Sequence, residues 1–138
     1  MLVIPGSVVT VVVAHCLDGY PLEACGLLAG DPAGDGAEVA RAYPTANQAA
    51  SARLYTVPPL EFLRADRDAG DAGLELVGVW HSHTHTEAYP SPTDVAQAPD
   101  PAWHYVIVSL RDTEPAVRSY RITGGKITEE AVVVTMTT

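Results

Sequence analysis

Apolar and polar positions along the chain fall into short blocks punctuated by Gly, Pro and Asp. Met1–Ile4 reads as a short strand, with Pro5-Gly6-Ser7 as a helix start. Val8 to Leu17 is apolar almost throughout, and periodicity alone does not separate helix from strand there. Its β-branched content favours a strand, whereas its length and the Pro–Ser start favour a helix; a buried helix is our reading. Cys25–Gly30 has the pattern of a core strand, ended by the turn residues Asp31–Gly36, and Glu38–Tyr43 should pair back on it as a hairpin. Pro59–Asp71 carries Leu60, Leu63 and Arg64 at helical spacing, with Pro in the first turn. Glu75–His83 is a strand with a continuous apolar centre, and Pro92–Ala98 fits a short helix. Three strands close the chain, Trp103–Leu110, Ala116–Thr123 and Ile127–Val134, with Gly124-Gly125 as a two-residue hairpin turn. The pattern predicts an α/β (α+β) fold, a central, mostly antiparallel sheet flanked by helices.

The 138 residues fit one domain, 1–138, and 47% hydrophobic against 18% charged residues is a folding composition. A net charge of −9 makes nucleic acid and anionic membranes poor partners. Cys16 and Cys25 match neither a disulfide framework nor a metal knuckle, which points to buried, reduced thiols in a cytoplasmic protein. No Lys or Arg precedes the first apolar run, and Pro5-Gly6 interrupts it, so we expect neither a signal peptide nor a membrane span.

The chemistry concentrates between Trp80 and Asp94. His81 and His83 are two apart, so a strand running through them projects both imidazoles from one face. Two converging imidazoles suit a borderline metal such as Zn²⁺. Asp94 could supply a third ligand if the loop turns back, leaving one position open, as catalytic zinc requires. Taken alone, His-x-His is a common surface pattern. Ser91 and Asp94 also read as an ordinary helix cap with Pro92 in the first turn, and Glu23 as a surface carboxylate. His85 reads as a solvated loop residue, His15 and His104 as structural, and Trp80 and Trp103 as core.

The order Glu23, Gly-containing strand, His81-Ser-His83, seven residues to Ser91, then two more before Asp94 resembles the JAMM (MPN+) metalloprotease family. That resemblance implies a cytidine-deaminase-like fold and one Zn²⁺ per chain held by His81, His83 and Asp94. It also implies that Glu23 moves the proton of the attacking water and that Ser91 donates to the oxyanion. A zinc deaminase would instead need His-x-Glu and Pro-Cys-x-x-Cys, which are absent. A non-catalytic MPN scaffold would lack part of the set, and all five positions are present here.

Pro21-Leu-Glu-Ala-Cys-Gly-Leu-Leu-Ala-Gly30, Thr86-Glu-Ala-Tyr-Pro-Ser91 and Arg118-Ser-Tyr-Arg-Ile122 are similar to the bacterial Mec-type branch, the sulfur-carrier-protein-S-L-cysteine hydrolases. The likeness implies a small ubiquitin-like sulfur carrier ending in Gly-Gly as the partner, and release of cysteine from its carrier adduct. The alternative is the same chemistry trimming residues after Gly-Gly to mature a carrier for natural-product or cofactor thiolation. Thr86, Glu87 and Tyr89, between His83 and Ser91, are the candidates for the pocket of the released residue.

Overall fold

A computed structural model describes residues 1–136. The elements run β1 (Leu2–Pro5), α1 (Gly6–Gly19), β2 (Cys25–Ala33), β3 (Gly36–Thr45), α2 (Pro59–Asp71), β4 (Glu75–His83), α3 (Pro92–Ala96), β5 (His104–Ser109), β6 (Ala116–Thr123), β7 (Lys126–Glu130) and β8 (Val132–Thr135). Eight strands form one sheet in the order β7-β6-β5-β4-β2-β3-β1-β8. Pairing is antiparallel except for β1 with β3 and β8, and β4 with β5. The mostly antiparallel α+β architecture expected from the sequence is therefore present.

Strand alternation divides the core between the two faces. Leu28, Trp80, Val106 and Val108 meet Val8, Val12 and Cys16 of α1 on one side. Leu27, Val79 and Tyr105 meet Ala65 and Ala69 of α2 on the other. The helix expected to be buried is buried on a single stripe, since only Val8, Val12 and Cys16 of α1 are buried. In α2 the bounds agree with the sequence, but Leu60 and Leu63 are 57% and 61% exposed. Its inward stripe is Phe62, Ala65 and Ala69, and the two alanines let the helix lie close to the sheet.

Two strand expectations differ. Asp31–Ala33 continues β2, so the turn shrinks to residues 34–35, with Gly34 at φ 62° where a side chain would be strained. The expected strand Ile127–Val134 is two strands on opposite edges of the sheet, broken at Ala131. Laid flat, eight strands would hold those edges roughly 34 Å apart. Two Cα steps from Glu130 to Val132 reach only about 7 Å. The sheet therefore curls until its edges approach, and Leu2 N–H of β1 donates to the carbonyl of Ala131, the residue that joins the two edge strands (2.8 Å).

Candidate metal centre and catalytic cavity

β4 lies inside the sheet, between β2 and β5, and its last three residues carry the His-Ser-His. Alternation places His81 and His83 on the α2 face with Val79, while Ser82 points the other way. Ser82 uses that orientation to fix the neighbouring chain. Its Oγ accepts from Ala24 N–H (2.9 Å), and its own N–H donates to the Ala24 carbonyl (3.0 Å). Glu23, just before β2, is thereby registered against the two histidines. Asn47 adds a second tie, its Nδ2 donating to the Glu23 carbonyl (3.0 Å).

Asp94 arrives from α3, a helix of only five residues held by a capping box. Ser91 Oγ accepts from Asp94 N–H (3.0 Å), and Ser91 N–H donates to Asp94 Oδ2 (2.9 Å). The same Oδ2 stands 3.1 Å from His81 Nε2 and 3.0 Å from His83 Nε2, and the two nitrogens are 3.2 Å apart. All three residues are buried. His83 Nδ1 donates to the Glu87 carbonyl (2.8 Å), which in the neutral ring leaves Nε2 as a lone pair facing the Asp94 carboxylate. Three lone-pair atoms gathered at these distances call for a cation among them. A four-coordinate ion with bonds of about 2.0–2.1 Å spaces its donors about 3.3 Å apart, so the set fits a metal site.

Burial opposes charge on His81 and keeps that imidazole neutral, as a ligand must be. Burial also opposes the Asp94 carboxylate, but the two imidazoles against its Oδ2 and the Ser91 backbone N–H outweigh burial and hold it well below the usual carboxylate range. Glu23 is pushed up to about 7, first by burial and then by the Asp94 charge, with His83 pulling the other way. Its Oε1 is buried with no hydrogen-bond partner among the described residues.

Glu23, His83, Thr86 and Ser91 line one cavity of about 560 Å³, with Ala52, Arg53, Thr84 and His85 completing the wall. Ser91 Oγ is engaged as an acceptor by Asp94 N–H, which leaves its proton available to that cavity. Of the three residues proposed for the released side chain, Thr86 lies here. Glu87 and Tyr89 do not; they line a separate cavity with Arg111, Arg118 and Tyr120. Glu87 reaches the centre through its backbone carbonyl instead. His85 is exposed, its Nδ1 on Thr84 Oγ1 (2.9 Å) and its Nε2 3.4 Å from Tyr20 Oη, away from the ligand set. Cys25 is buried and its thiol is pushed up to about 11 by that burial, which disqualifies it as a nucleophile.

Tyr55 and Arg53 also belong to the site, although no local motif marks either as a functional residue. The Tyr55 ring stacks on His81 with centroids 4.3 Å apart. It steadies an imidazole whose Nδ1 is buried without a hydrogen-bond partner among the described residues.

The sequence profile described as prokaryotic homologues of the JAB domain, Prok-JAB, matches residues 5–123. The chain belongs to the Prok-JAB family. This agrees with the JAMM/MPN+ resemblance read from the motif. The Prok-JAB chain is 45% identical over 133 residues to the CysO-cysteine peptidase of Mycobacterium tuberculosis, covering 96% of this chain and 90% of that protein. It is 33% identical over 128 residues to the desampylase of Haloferax volcanii, covering 89% and 88%. The Prok-JAB fold superposes on a solution structure of a Desulfitobacterium hafniense protein with a TM-score of 0.92 at 33% identity, covering 99% of this chain and 94% of that one.

Proposed function

We propose that this chain, as a single catalytic domain, is a cytoplasmic zinc peptidase. Its reaction is hydrolysis of the bond after the C-terminal Gly-Gly of a small ubiquitin-like sulfur carrier, releasing cysteine from a carrier–cysteine adduct. The observation that carries the catalytic part is the convergence of His81, His83 and Asp94 beside a cavity that Glu23 and Ser91 also line. The substrate part is supported by 45% identity over nearly the whole chain to a CysO-cysteine peptidase.

His81, His83 and Asp94 would hold one Zn²⁺. Bound there, the ion supplies Lewis acidity, polarising the scissile carbonyl and making water a competent nucleophile near neutral pH. Glu23 takes the proton of the attacking water and passes it to the leaving amine. A carboxylate in a partly dry pocket is suited to both halves of that transfer, because its affinity for a proton lies close to working pH. The Ser91 hydroxyl donates to the carbonyl oxygen as charge develops on it, a contact of about 3 kcal/mol in other acyl-transfer sites. Thr86 contacts the residue being released from the cavity wall, while Glu87 acts through the carbonyl that orients His83. β4 is paired on both sides at His81, with Cys25 of β2 and Ile107 of β5 opposite it, and His83 is paired with Ser109 of β5.

The test is the intact mass of a sulfur carrier ending Gly-Gly-Cys after incubation with zinc-loaded protein. Loss of one cysteine, abolished by a chelator, is the expected result. An unchanged mass with stoichiometric zinc bound overturns the substrate assignment.

A further inference from the structure

We propose that Arg53 anchors the free α-carboxylate of the residue being released, so that the enzyme selects a C-terminal amino acid over an internal or side-chain-linked one. The proposal rests on the carrier-adduct reading and specifies which end of the substrate is recognised.

Arg53 lines the same cavity as Glu23, His83 and Ser91, and among the described residues it is the one cationic side chain there apart from imidazoles. Arg41, Arg111 and Arg118 are paired with carboxylates, Arg121 donates to the carbonyls of Asp35 and Pro101, and Arg64, Arg67 and Lys126 do not line this cavity. The Arg53 guanidinium has no such partner among the described residues; its only bond runs from its backbone N–H to Ser51 Oγ (3.0 Å). A cation left unpaired in a chain of net charge −9, on a cavity that it shares with the Glu23 carboxyl, marks a place for an anion.

The backbone around Arg53 is tied to Glu23. Glu23 N–H donates to the Ser51 carbonyl (2.8 Å), Thr84 Oγ1 donates to the Ala52 carbonyl (3.5 Å), and Asn47 Nδ2 bridges the Glu23 and Leu54 carbonyls. The segment bearing Arg53 is thus tied directly to the chain at Glu23, the proton carrier of the proposed reaction. Hydrolysis adds water across the C–N bond. The carbonyl carbon gains the hydroxyl and becomes the carrier's carboxylate; the nitrogen gains the proton and leaves as an amine. In an α-amino acid that nitrogen and the carboxylate sit on one carbon. A guanidinium beside the group that protonates the amine therefore meets the carboxylate, and its planar fork matches carboxylate geometry.

The experiment compares a carrier ending Gly-Gly-Cys as the free acid with the same carrier ending in the carboxamide. Wild type, Arg53→Ala and Arg53→Lys are assayed on both. Wild type should favour the acid by about tenfold in kcat/KM, chiefly through KM. Arg53→Ala should bring the acid-to-amide ratio close to one, and Arg53→Lys should recover part of it. The ratio is independent of how much of a variant folds. Wild type cleaving both substrates alike, or Arg53→Ala keeping the wild-type ratio, overturns the Arg53 assignment and leaves the carrier-adduct reading standing. Wild type cleaving neither overturns both.

Discussion

Glu23 keeps a carboxylate oxygen buried and unpartnered among the described residues, a placement that costs stability and is tolerated where a group must exchange protons. Its side chain stands outside the ligand set of His81, His83 and Asp94, so its two possible roles separate cleanly. Glu23→Gln keeps the shape and removes the site that accepts a proton. Turnover should fall by about 10²–10⁴-fold while bound metal, measured by elemental analysis, stays stoichiometric. A variant that keeps its turnover removes Glu23 from the chemistry, and one that loses its metal places Glu23 in the ion's support. The His81-Ser-His83 spacing and the Ser91–Asp94 cap are legible because each lies along a single element, β4 or α3, whereas Glu23 stands out only through the family resemblance. Tyr55 is not legible, since its stack on His81 joins a loop to a strand 26 residues away and no local pattern records that meeting.

At the scale of elements, the parallel pair β4–β5 is what brings the two histidines to a fixed place, and its close approach depends on Gly78. Gly78 stands opposite His104, and a Cβ added there would lie 2.2 Å from the His104 carbonyl oxygen. That atom is backbone in the middle of a sheet and has nowhere to go. Gly78→Ala should cost about 1–3 kcal/mol in a denaturant titration, and the displaced β4 should weaken metal binding three and five residues on. An alanine variant with wild-type stability would mean that the two strands are less closely fixed than this contact requires. Element bounds were often readable: Pro in the first turn and the following charges mark α2 well. Its inward face was not, because alanines at 65 and 69 give a weaker hydrophobic signal than the exposed Leu60 and Leu63. The sheet chooses the small residues because they allow close packing, and the sheet is not present in an eleven-to-eighteen-residue window.

The molecule as a whole is closed by the chain crossing from β7 to β8, and Glu130 is the residue at that seam. No Gly or Pro marks the break, so the segment reads as one strand; which edge each half joins depends on the curl of the complete sheet. Glu130 Oε2 accepts from Ser119 Oγ (2.8 Å) and from His104 Nδ1, and Oε1 lies 3.2 Å from the Met1 amino group. One carboxylate thus joins the end of β7 to β6, to β5 and to the residue preceding β1. Burial works to raise this carboxyl, but the His104 and Ser119 hydrogen bonds outweigh it and hold the group below its ordinary value. A carboxyl with a folded value below its unfolded one stabilises the native state fully above about pH 4.3. That contribution is lost as pH falls through the lower folded value. Glu130→Gln should therefore cost about 2 kcal/mol at pH 7, a loss comparable to that of a charge-assisted hydrogen bond. The gap between wild type and variant should narrow as the pH of the denaturation series is taken from 5 to 3. Asp94 is also held in its charged form and also protonates in acid, but it does so in both proteins and cancels in the difference. A gap that stays constant across the series would mean that the charge on Glu130 does not hold the seam, and that curling of the sheet rests on its apolar faces alone.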